Sequence, residues 1–194
     1  MQPGQEFGQL FRAFEHTAFR LEVRTTYSPS YEQESFRKFL AGEPDDLPWM
    51  QDWLSMIREA TKEGRSFARV RAVSFPLSDY NRGSHVVAQH NNAAGEDIRY
   101  LTHGLAKAIS LPDHDYWLFD SRKLAIMHFG NDNSFLGTEI VEDPSVIVQH
   151  NYWRDAAWHP ALRRGEFATE ERLGRMAAVQ NLQVGDRSSD AERR

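Results

Sequence analysis

The spacing of the apolar residues changes near Gly64, and this change restricts the fold more than any other feature of the sequence. Before Gly64, apolar residues recur at three- and four-residue intervals, as they do on one face of a helix. After it, short runs rich in β-branched and aromatic residues are separated by Gly, Pro and Asp, which is typical of strands joined by turns. Since helical spacing returns near the C-terminus, the sequence predicts an α/β or α+β fold.

The first third of the chain reads as three helical segments. Apolar residues from Phe7 to Leu21 predict a helix or helical turns at the start. Ser30 and Gln33 are compatible with a capping box that opens a helix from Tyr31 to Ala41, which Gly42 then ends. A further helix ending near Gly64 carries the apolar residues Trp49, Trp53, Met56, Ile57 and Ala60. The two tryptophans lie one turn apart, so they could form a stacking platform for a ligand, although packing in the core is favoured.

The middle of the chain predicts a mixed sheet. SFARVRAVSF and EDIRYLTH read as strands, and Ser78 is placed to cap the helix between them. DYWLFD and LAIMHFG predict a hairpin, and TEIVEDPSVIVQH predicts a further strand pair interrupted by Asp143-Pro144. A helical region follows, and Pro160 divides it into two helices. We therefore expect N-terminal helices followed by a mixed β-sheet flanked by helices, in one domain over residues 1–182, with a disordered tail over 183–194.

Composition excludes several classes of protein. The 194 residues include 23 Lys and Arg, 28 Asp and Glu and no Cys, with a formal net charge of -5. The acidic balance argues against a direct nucleic-acid partner, and the lack of Cys excludes disulfides and thiolate zinc sites. No apolar run approaches the ~20 residues that span a bilayer, and the N-terminus lacks the basic start of a signal peptide. We expect a soluble cytoplasmic protein with no membrane partner.

The usual motifs for cofactors and nucleophiles do not occur in the sequence. We find no GxxxxGK[ST], GxGxxG, HExxH or GxSxG, so no cofactor and no catalytic residue is predicted. None of the eight His lies in a helical i, i+4 pair, which favours scattered histidines over a metal site. A site assembled from distant histidines is left open, as is enzyme activity in general.

Three arginines are the main candidates for ligand binding. Arg69, Arg71 and Arg99 lie on adjacent predicted strands, and guanidinium groups there can hold a carboxylate or phosphate by paired hydrogen bonds. The competing interpretation, which we favour, pairs them with the internal carboxylates of Glu96, Asp97 or Asp120. If a pocket exists, the sequence predicts these residues around it: Arg71, Tyr80, Glu96, Arg99 and Asp120.

Two resemblances add to this. AAGEDIR and DYWLFDS, together with flanking segments over roughly residues 6–162, resemble an actinobacterial family of unknown function. The resemblance implies a small cytoplasmic protein often encoded beside helix-turn-helix regulators. More distantly, residues 70–158 resemble one half of a phospholipase D-type fold, in which Asp120 would match an Asp that follows a His-x-Lys motif.

The phospholipase D resemblance implies a chain that has lost its catalysis. Asp113 and Asp115 stand where that family has the nucleophilic His and the phosphate-binding Lys. Two acidic residues there would repel a phosphodiester and provide no nucleophile. Asp120 would then be a remnant that orders a turn, which we favour over a catalytic role.

Two functional hypotheses follow from these observations. The first is a non-enzymatic regulatory or interaction protein whose partner is a helix-turn-helix transcriptional regulator, because a basic partner would suit the net charge of -5. The alternative is an enzyme or small-ligand binder that acts on a phosphorylated or carboxylated molecule through an arginine-lined pocket. Direct DNA binding ranks third, and a homo-oligomer is left open.

Overall fold

A mixed seven-stranded sheet forms the centre of the molecule. The computed structural model describes residues 5–27 and 30–168. The strands lie in the order β6-β5-β4-β1-β2-β3-β7. β1, β2 and β3 are mutually parallel, and the other pairings are antiparallel. The predicted class, a mixed sheet flanked by helices, is confirmed, whereas the phospholipase D-like half-domain stays a prediction.

The strands and helices alternate over most of the described chain. The strands are β1 Thr17–Glu22, β2 Ser66–Val73, β3 Glu96–Thr102, β4 Tyr116–Phe119, β5 Lys123–Phe129, β6 Phe135–Val141 and β7 Leu162–Arg163. The α-helices are α1 Gln5–Ala13, α2 Gln33–Ala41, α3 Gln51–Lys62, α4 Asp79–Ala94, α5 His103–Ala108 and α6 Pro144–Trp158. Short 3-10 turns at Ser30–Glu32 and Pro48–Met50 lead into α2 and α3.

The prediction of a helix through Leu21 is wrong in its second half. α1 ends at Ala13, and the chain then forms β1, the strand at the centre of the sheet. Phe19 and Leu21 contribute to the core on one face of β1, while Ala18 contributes to the core on the other. The sequence of β1 alternates between apolar and polar residues from Phe19 to Glu22, but its apolar residues also continue the helical spacing that begins at Phe7, and this spacing hides the short strand.

The next three helices agree with their predictions. α2 ends at Gly42, whose φ of 67° lies in the left-handed region that glycine adopts readily. The residue before α2 is Glu32, and its side chain makes no capping hydrogen bond. The predicted capping box depends on the side chain of Ser30, which lies outside the described part of the structure. Ser78 caps α4 as predicted, with its hydroxyl accepting a hydrogen bond from the backbone N–H of Asn81 at 3.2 Å.

The predicted hairpin is confirmed, and the strand pair predicted after it is half right: its first strand lies in β6, but its second is a helix. β4 and β5 pair in antiparallel fashion, as do β5 and β6. The segment after Asp143, however, is α6 and not a strand. The Asp143 carboxylate accepts hydrogen bonds from the N–H groups of Ser145 and Val146, and Pro144 occupies the first helical turn. An Asp cap followed by Pro is a helix start, and it outweighs the β-branched residues that follow.

The chain leaves α6 as predicted near Pro160, but it then pairs with the sheet. β7 runs antiparallel to β3, and residues 164–168 are helical. The remainder of the second predicted helix and the predicted disordered tail, 183–194, lie outside the described residues.

The helices cover both faces of the sheet. α1 and α3 pack on one face, where their apolar residues meet Phe67, Trp117 and Phe119. α5 and α6 pack on the opposite face against a second apolar cluster that includes Leu21, Val70 and Leu118. We refer to these as the α3 face and the α6 face. α4 packs against β3 on the α3 face, and the candidate site lies between this face and the helices above it.

Candidate functional site

A row of charged side chains crosses the α3 face of the sheet. In the parallel pairing of β1 with β2, Arg20 lies beside Arg69 and Glu22 beside Arg71. Glu96, at the start of β3, extends the row by pairing with Arg69. The term charged row refers below to these five residues. Four of them are buried: Glu22, Arg69, Arg71 and Glu96. The free-energy cost of desolvating these charges must therefore be offset by their mutual pairing.

The carboxylates of the charged row are fully used by internal donors. One oxygen of Glu22, Oε1, lies 3.1 Å from Arg20 Nη2 and 2.9 Å from Arg69 Nη1, and Oε2 accepts from Arg71 Nε. Glu96 Oε1 accepts from Arg69 Nε at 2.8 Å. Glu96 Oε2 accepts from Asn91 Nδ2 at 2.6 Å. All four oxygens therefore have a donor.

Glu22 holds the charged row together. Burial alone would raise the pKa of Glu22, but the positive charges of Arg20, Arg71 and Arg69 lower its pKa well below the ordinary range. Glu22 is therefore an anion throughout the neutral range, surrounded by three cations. The favoured interpretation of Arg69, pairing with an internal carboxylate, agrees with this geometry.

The arginines of the charged row, in contrast, have N–H donors without an acceptor. Arg71 Nη1 and Arg20 Nε are buried and have no hydrogen-bond partner within the described structure. The Arg71 side chain is only 8% exposed. A buried guanidinium nitrogen without an acceptor costs on the order of 1–3 kcal/mol, and an acceptor from a cavity water or from a ligand would remove this cost.

A cavity opens directly above the charged row. Its volume is about 610 Å³, within the range of pockets that hold small organic ligands. Arg20, Glu22, Arg69 and Arg71 line it together with many aromatic rings, among them Tyr27, Tyr31, Trp49, Trp53, Tyr80 and Trp117. The guanidinium of Arg20 lies 5.6 Å from the ring centroid of Trp117. The cavity lining therefore combines charged groups with flat apolar surface.

Comparison with known sequences places the chain in a family. A family model described as Domain of unknown function (DUF6879) matches residues 5–169. The chain belongs to this family. No curated protein matches it. Since the match includes the whole charged row and the cavity above it, both are features of a DUF6879 domain.

In this DUF6879 domain, the structure brings together some of the residues that the sequence predicts around one pocket and separates others. Arg71 and Tyr80 line the cavity. Glu96 lies beneath it, where it bonds to the cavity residues Arg69 and Asn91. Arg99 and Asp120 do not line the cavity.

Arg99 is on the other side of the sheet. Register places it beside Val70, which contributes to the apolar cluster of the α6 face. Its guanidinium lies 3.8 Å from the ring centroid of Trp158, and its Nη2 lies 3.0 Å from Asp97. Arg69 and Arg99 were expected near one site, but adjacent positions in a strand pair point to the same face only when the register aligns them.

Asp120 performs a structural task in a turn. It adopts a positive φ of 51°, and its carboxylate accepts hydrogen bonds from three backbone N–H groups, those of Glu15 at 2.8 Å, His16 at 2.7 Å and Thr17 at 2.9 Å. Partial burial would raise the pKa of Asp120, but these hydrogen bonds lower it. The carboxylate thus ties the β4–β5 turn to the start of β1, as the turn interpretation expects.

Replacing Asp120 by Ala should lower the free energy of unfolding by about 1–2 kcal/mol, since three backbone donors lose a charged acceptor at a partly solvated site. Asp120→Asn is the matched control, because Asn keeps one side-chain oxygen and tolerates positive φ. Urea unfolding measures both changes. Equal stability of Asp120→Ala and the wild type would contradict the structural role.

The sequence did not reveal Arg20, Glu22 or Tyr27 as site residues. Arg20 and Glu22 were assigned to a helix, so their shared face with Arg69 and Arg71 could not be seen. Tyr27 follows β1, and its hydroxyl donates to the buried carboxylate of Asp115. The alternation Arg20, Glu22 within an otherwise apolar segment was the available signal, because it matches the alternation Arg69, Arg71 in β2.

Asp115 is a second buried carboxylate near the charged row. Besides the Tyr27 hydroxyl, it accepts a hydrogen bond from the backbone N–H of Val23 at 2.9 Å. Burial raises the pKa of Asp115, although the charge of Arg20 and the Tyr27 hydrogen bond act in the opposite direction. It holds the segment after β1 against the start of β4.

Trp49 and Trp53 pack against the core, which is the favoured interpretation, and they also line the cavity. Each packs against the apolar cluster of the α3 face, and each also lines the cavity. Trp49 is fixed by a hydrogen bond from its ring N–H to the hydroxyl of Ser35 at 2.8 Å. The pair therefore presents oriented ring surface to the cavity.

The histidines form one close pair. Nε2 of His114 lies 3.0 Å from Nε2 of His150, against the α6 face. Across residues 5–27 and 30–168, however, His, Asp and Glu side chains nowhere gather in the groups of three that a metal ion needs. Over the same ranges, the helices are all too short or too polar to cross a membrane.

Proposed function

We propose that this DUF6879 domain binds a small organic molecule in the cavity above the charged row. The ligand has an apolar, aromatic body that lies among the cavity rings, and it carries a hydrogen-bond acceptor that reaches Arg71. This is the alternative that the sequence raised, a small-ligand binder with an arginine-lined pocket. No reaction is included in the proposal.

One observation supports the proposal above the others. Arg71 Nη1 is buried, lacks a partner within the described structure and belongs to a side chain that lines the cavity. A core that served stability alone would gain by satisfying or removing such a donor, because buried polar groups are nearly always hydrogen-bonded. A donor kept free beside a cavity of ligand size is typical of a binding site.

A library of small molecules, screened by thermal shift, tests the proposal. Ligands that occupy the cavity should stabilise the protein by about 2.7 kcal/mol at a hundredfold excess over Kd. Hits should lose their effect in Arg71→Lys, which keeps the charge but lacks the second terminal nitrogen. Arg99→Lys is the matched control on the α6 face, and it should respond like the wild type. Hits that stabilise both variants equally would place binding outside the cavity.

We also propose, as a second candidate, the partnership with a helix-turn-helix regulator. It is supported by the resemblance to an actinobacterial family encoded beside such regulators and by the net charge of -5. A feature of α6 favours a protein partner: Val148 and Tyr152 lie one turn apart and are 68% and 61% exposed. Exposed apolar side chains on one helical face are a common part of protein interfaces. A distant relation to the phospholipase D-type fold would add no activity to either proposal.

Co-purification of this chain with the regulator encoded beside it tests the partnership. The wild type should retain the regulator, and Val148→Ser combined with Tyr152→Ser should release it, because both changes remove apolar area from the same face. Leu40→Ser is a control at a similarly exposed apolar position on α2. Failure of the wild-type chain to bind the regulator at micromolar concentration would exclude this function.

A further inference from the structure

From the donors and charges around the cavity, we infer that the ligand presents a planar oxygen acceptor with at most one negative charge, a carboxylate or carbonyl on an aromatic body, and not a phosphate ester. This inference rests on the proposed function and specifies the ligand of the same site. It narrows the choice between phosphorylated and carboxylated molecules that the sequence left open.

The charged row has N–H donors that lack acceptors. Each carboxylate oxygen of Glu22 and Glu96 already receives a hydrogen bond, whereas Arg71 Nη1 and Arg20 Nε have no partner within the described structure. Within the charged row, the surplus therefore consists of donors, whereas Asp45 Oδ2, elsewhere in the lining, is a buried acceptor without a partner in the described structure. A ligand that completes the charged row must bring an acceptor, and a ligand that brings only donors, such as an amine, would leave Arg71 Nη1 and Arg20 Nε unpaired.

The total charge around the cavity limits the negative charge that a ligand can carry. Three arginines line it, and so do four carboxylates, those of Glu22, Glu32, Glu43 and Asp45. Glu43 pairs with Arg37 at the surface, and the largely buried Asp45 pairs with Lys38 at 3.3 Å. The three arginines, however, already share the charges of Glu22 and Glu96. The lining offers no excess of positive charge that could compensate a buried phosphate dianion.

Glu32 strengthens this limit. It lines the cavity, and both burial and the charge of Glu22 raise its pKa. A group that already responds to one nearby negative charge would respond more strongly to a doubly charged ligand. A carboxylate adds a single charge, and a neutral carbonyl adds none, while both offer the acceptor that Arg71 requires.

The aromatic rings that line the cavity favour a flat ligand. The rings around the cavity include Trp49, Trp53 and Trp117, and Tyr31 lies 5.4 Å from Trp49 between ring centroids. Flat aromatic molecules gain from offset or edge contacts with such rings. A planar acceptor conjugated to a ring keeps the molecule flat up to the charged row.

Three probes with the same ring system test the inference: 2-naphthoate, 2-naphthamide and 2-naphthyl phosphate. Isothermal titration of the full chain at neutral pH should show binding of the naphthoate and the naphthamide, with the phosphate weaker by about tenfold or more. Arg71→Lys should weaken naphthoate binding by about tenfold, because it loses the paired geometry of the guanidinium. Arg99→Lys, the control on the α6 face, should leave naphthoate binding unchanged.

The outcomes distinguish a failure of the inferred ligand class from a failure of the proposed function. A phosphate that binds as tightly as the naphthoate, or tighter, overturns the ligand class and leaves the cavity as a binding site. Absence of binding by all three probes at millimolar concentration overturns the ligand class, while hits from the thermal-shift library would still uphold the proposed function. The ranking of the probes needs only the wild-type chain, so it decides the question even if Arg71→Lys fails to fold.

Discussion

Replacing Glu22 by Gln should lower the free energy of unfolding by about 3–5 kcal/mol, the usual loss when one member of a buried ionic group is removed. Glu22 bonds to Arg20, Arg69 and Arg71, and its side chain is 3% exposed. Without its charge, three guanidinium groups share only the carboxylate of Glu96 and the more distant Asp115. Chemical denaturation at neutral pH measures the loss.

Glu34→Gln is the matched control for this substitution. Glu34 also pairs with an arginine, Arg37, but its side chain is 65% exposed, so solvent screens the pair and the change should have little effect on stability. Similar effects of Glu22→Gln and Glu34→Gln would show that the charged row contributes little to stability.

The contribution of Glu22 should also depend on pH in a defined direction. Its pKa in the folded state is lower than its ordinary value of 4.5, so its stabilising effect is complete above pH 4.5 and is lost as the pH falls below it. The difference in unfolding free energy between the wild type and Glu22→Gln should therefore be constant near neutrality and shrink in acid. A difference that grows as the pH falls would contradict the lowered pKa.

Changing Phe119 to Ala should cost about 3–5 kcal/mol, the range for removing a buried aromatic ring. Phe119 is 2% exposed, and its ring centroid lies 5.1 Å from that of Phe11, which ties α1 to the sheet. Leu40→Ala is the control, because Leu40 is 55% exposed. Urea unfolding should show a large loss for Phe119→Ala and a small one for the control. A loss below about 1 kcal/mol for Phe119→Ala would mean that α1 does not depend on this contact.

The elements that the sequence predicts well are bounded by local signals: a glycine after a helix, a capping serine or a turn. α2 ends at Gly42, α4 begins at Ser78, and the hairpin of β4 and β5 turns between Asp120 and Arg122. Two of the errors have physical causes. The apolar residues of β1 continue the helical spacing of α1, and α6 begins at Asp143 and Pro144, a pair that is also typical of a turn between strands.

The candidate site was only partly predictable for related reasons. Arg71 and Tyr80 could be identified, because a buried arginine in a strand and a tyrosine in the following helix lie at the same end of the sheet. Arg20 and Glu22 could not, because they lie on the strand that was read as a helix. Arg99 was misplaced because the sequence does not give the register that puts Val70, and not Arg69, beside it.

The five tryptophans offer the most direct test of the central claim, that the cavity on the α3 face binds a small acceptor-bearing aromatic molecule. Trp49, Trp53 and Trp117 line the cavity. Trp153 and Trp158 belong to α6 on the opposite face. Fluorine NMR of protein labelled with 5-fluorotryptophan, titrated with 2-naphthoate, should shift the three cavity resonances and leave the two α6 resonances in place. Shifts confined to Trp153 and Trp158, or no shift at saturating probe, would contradict the account.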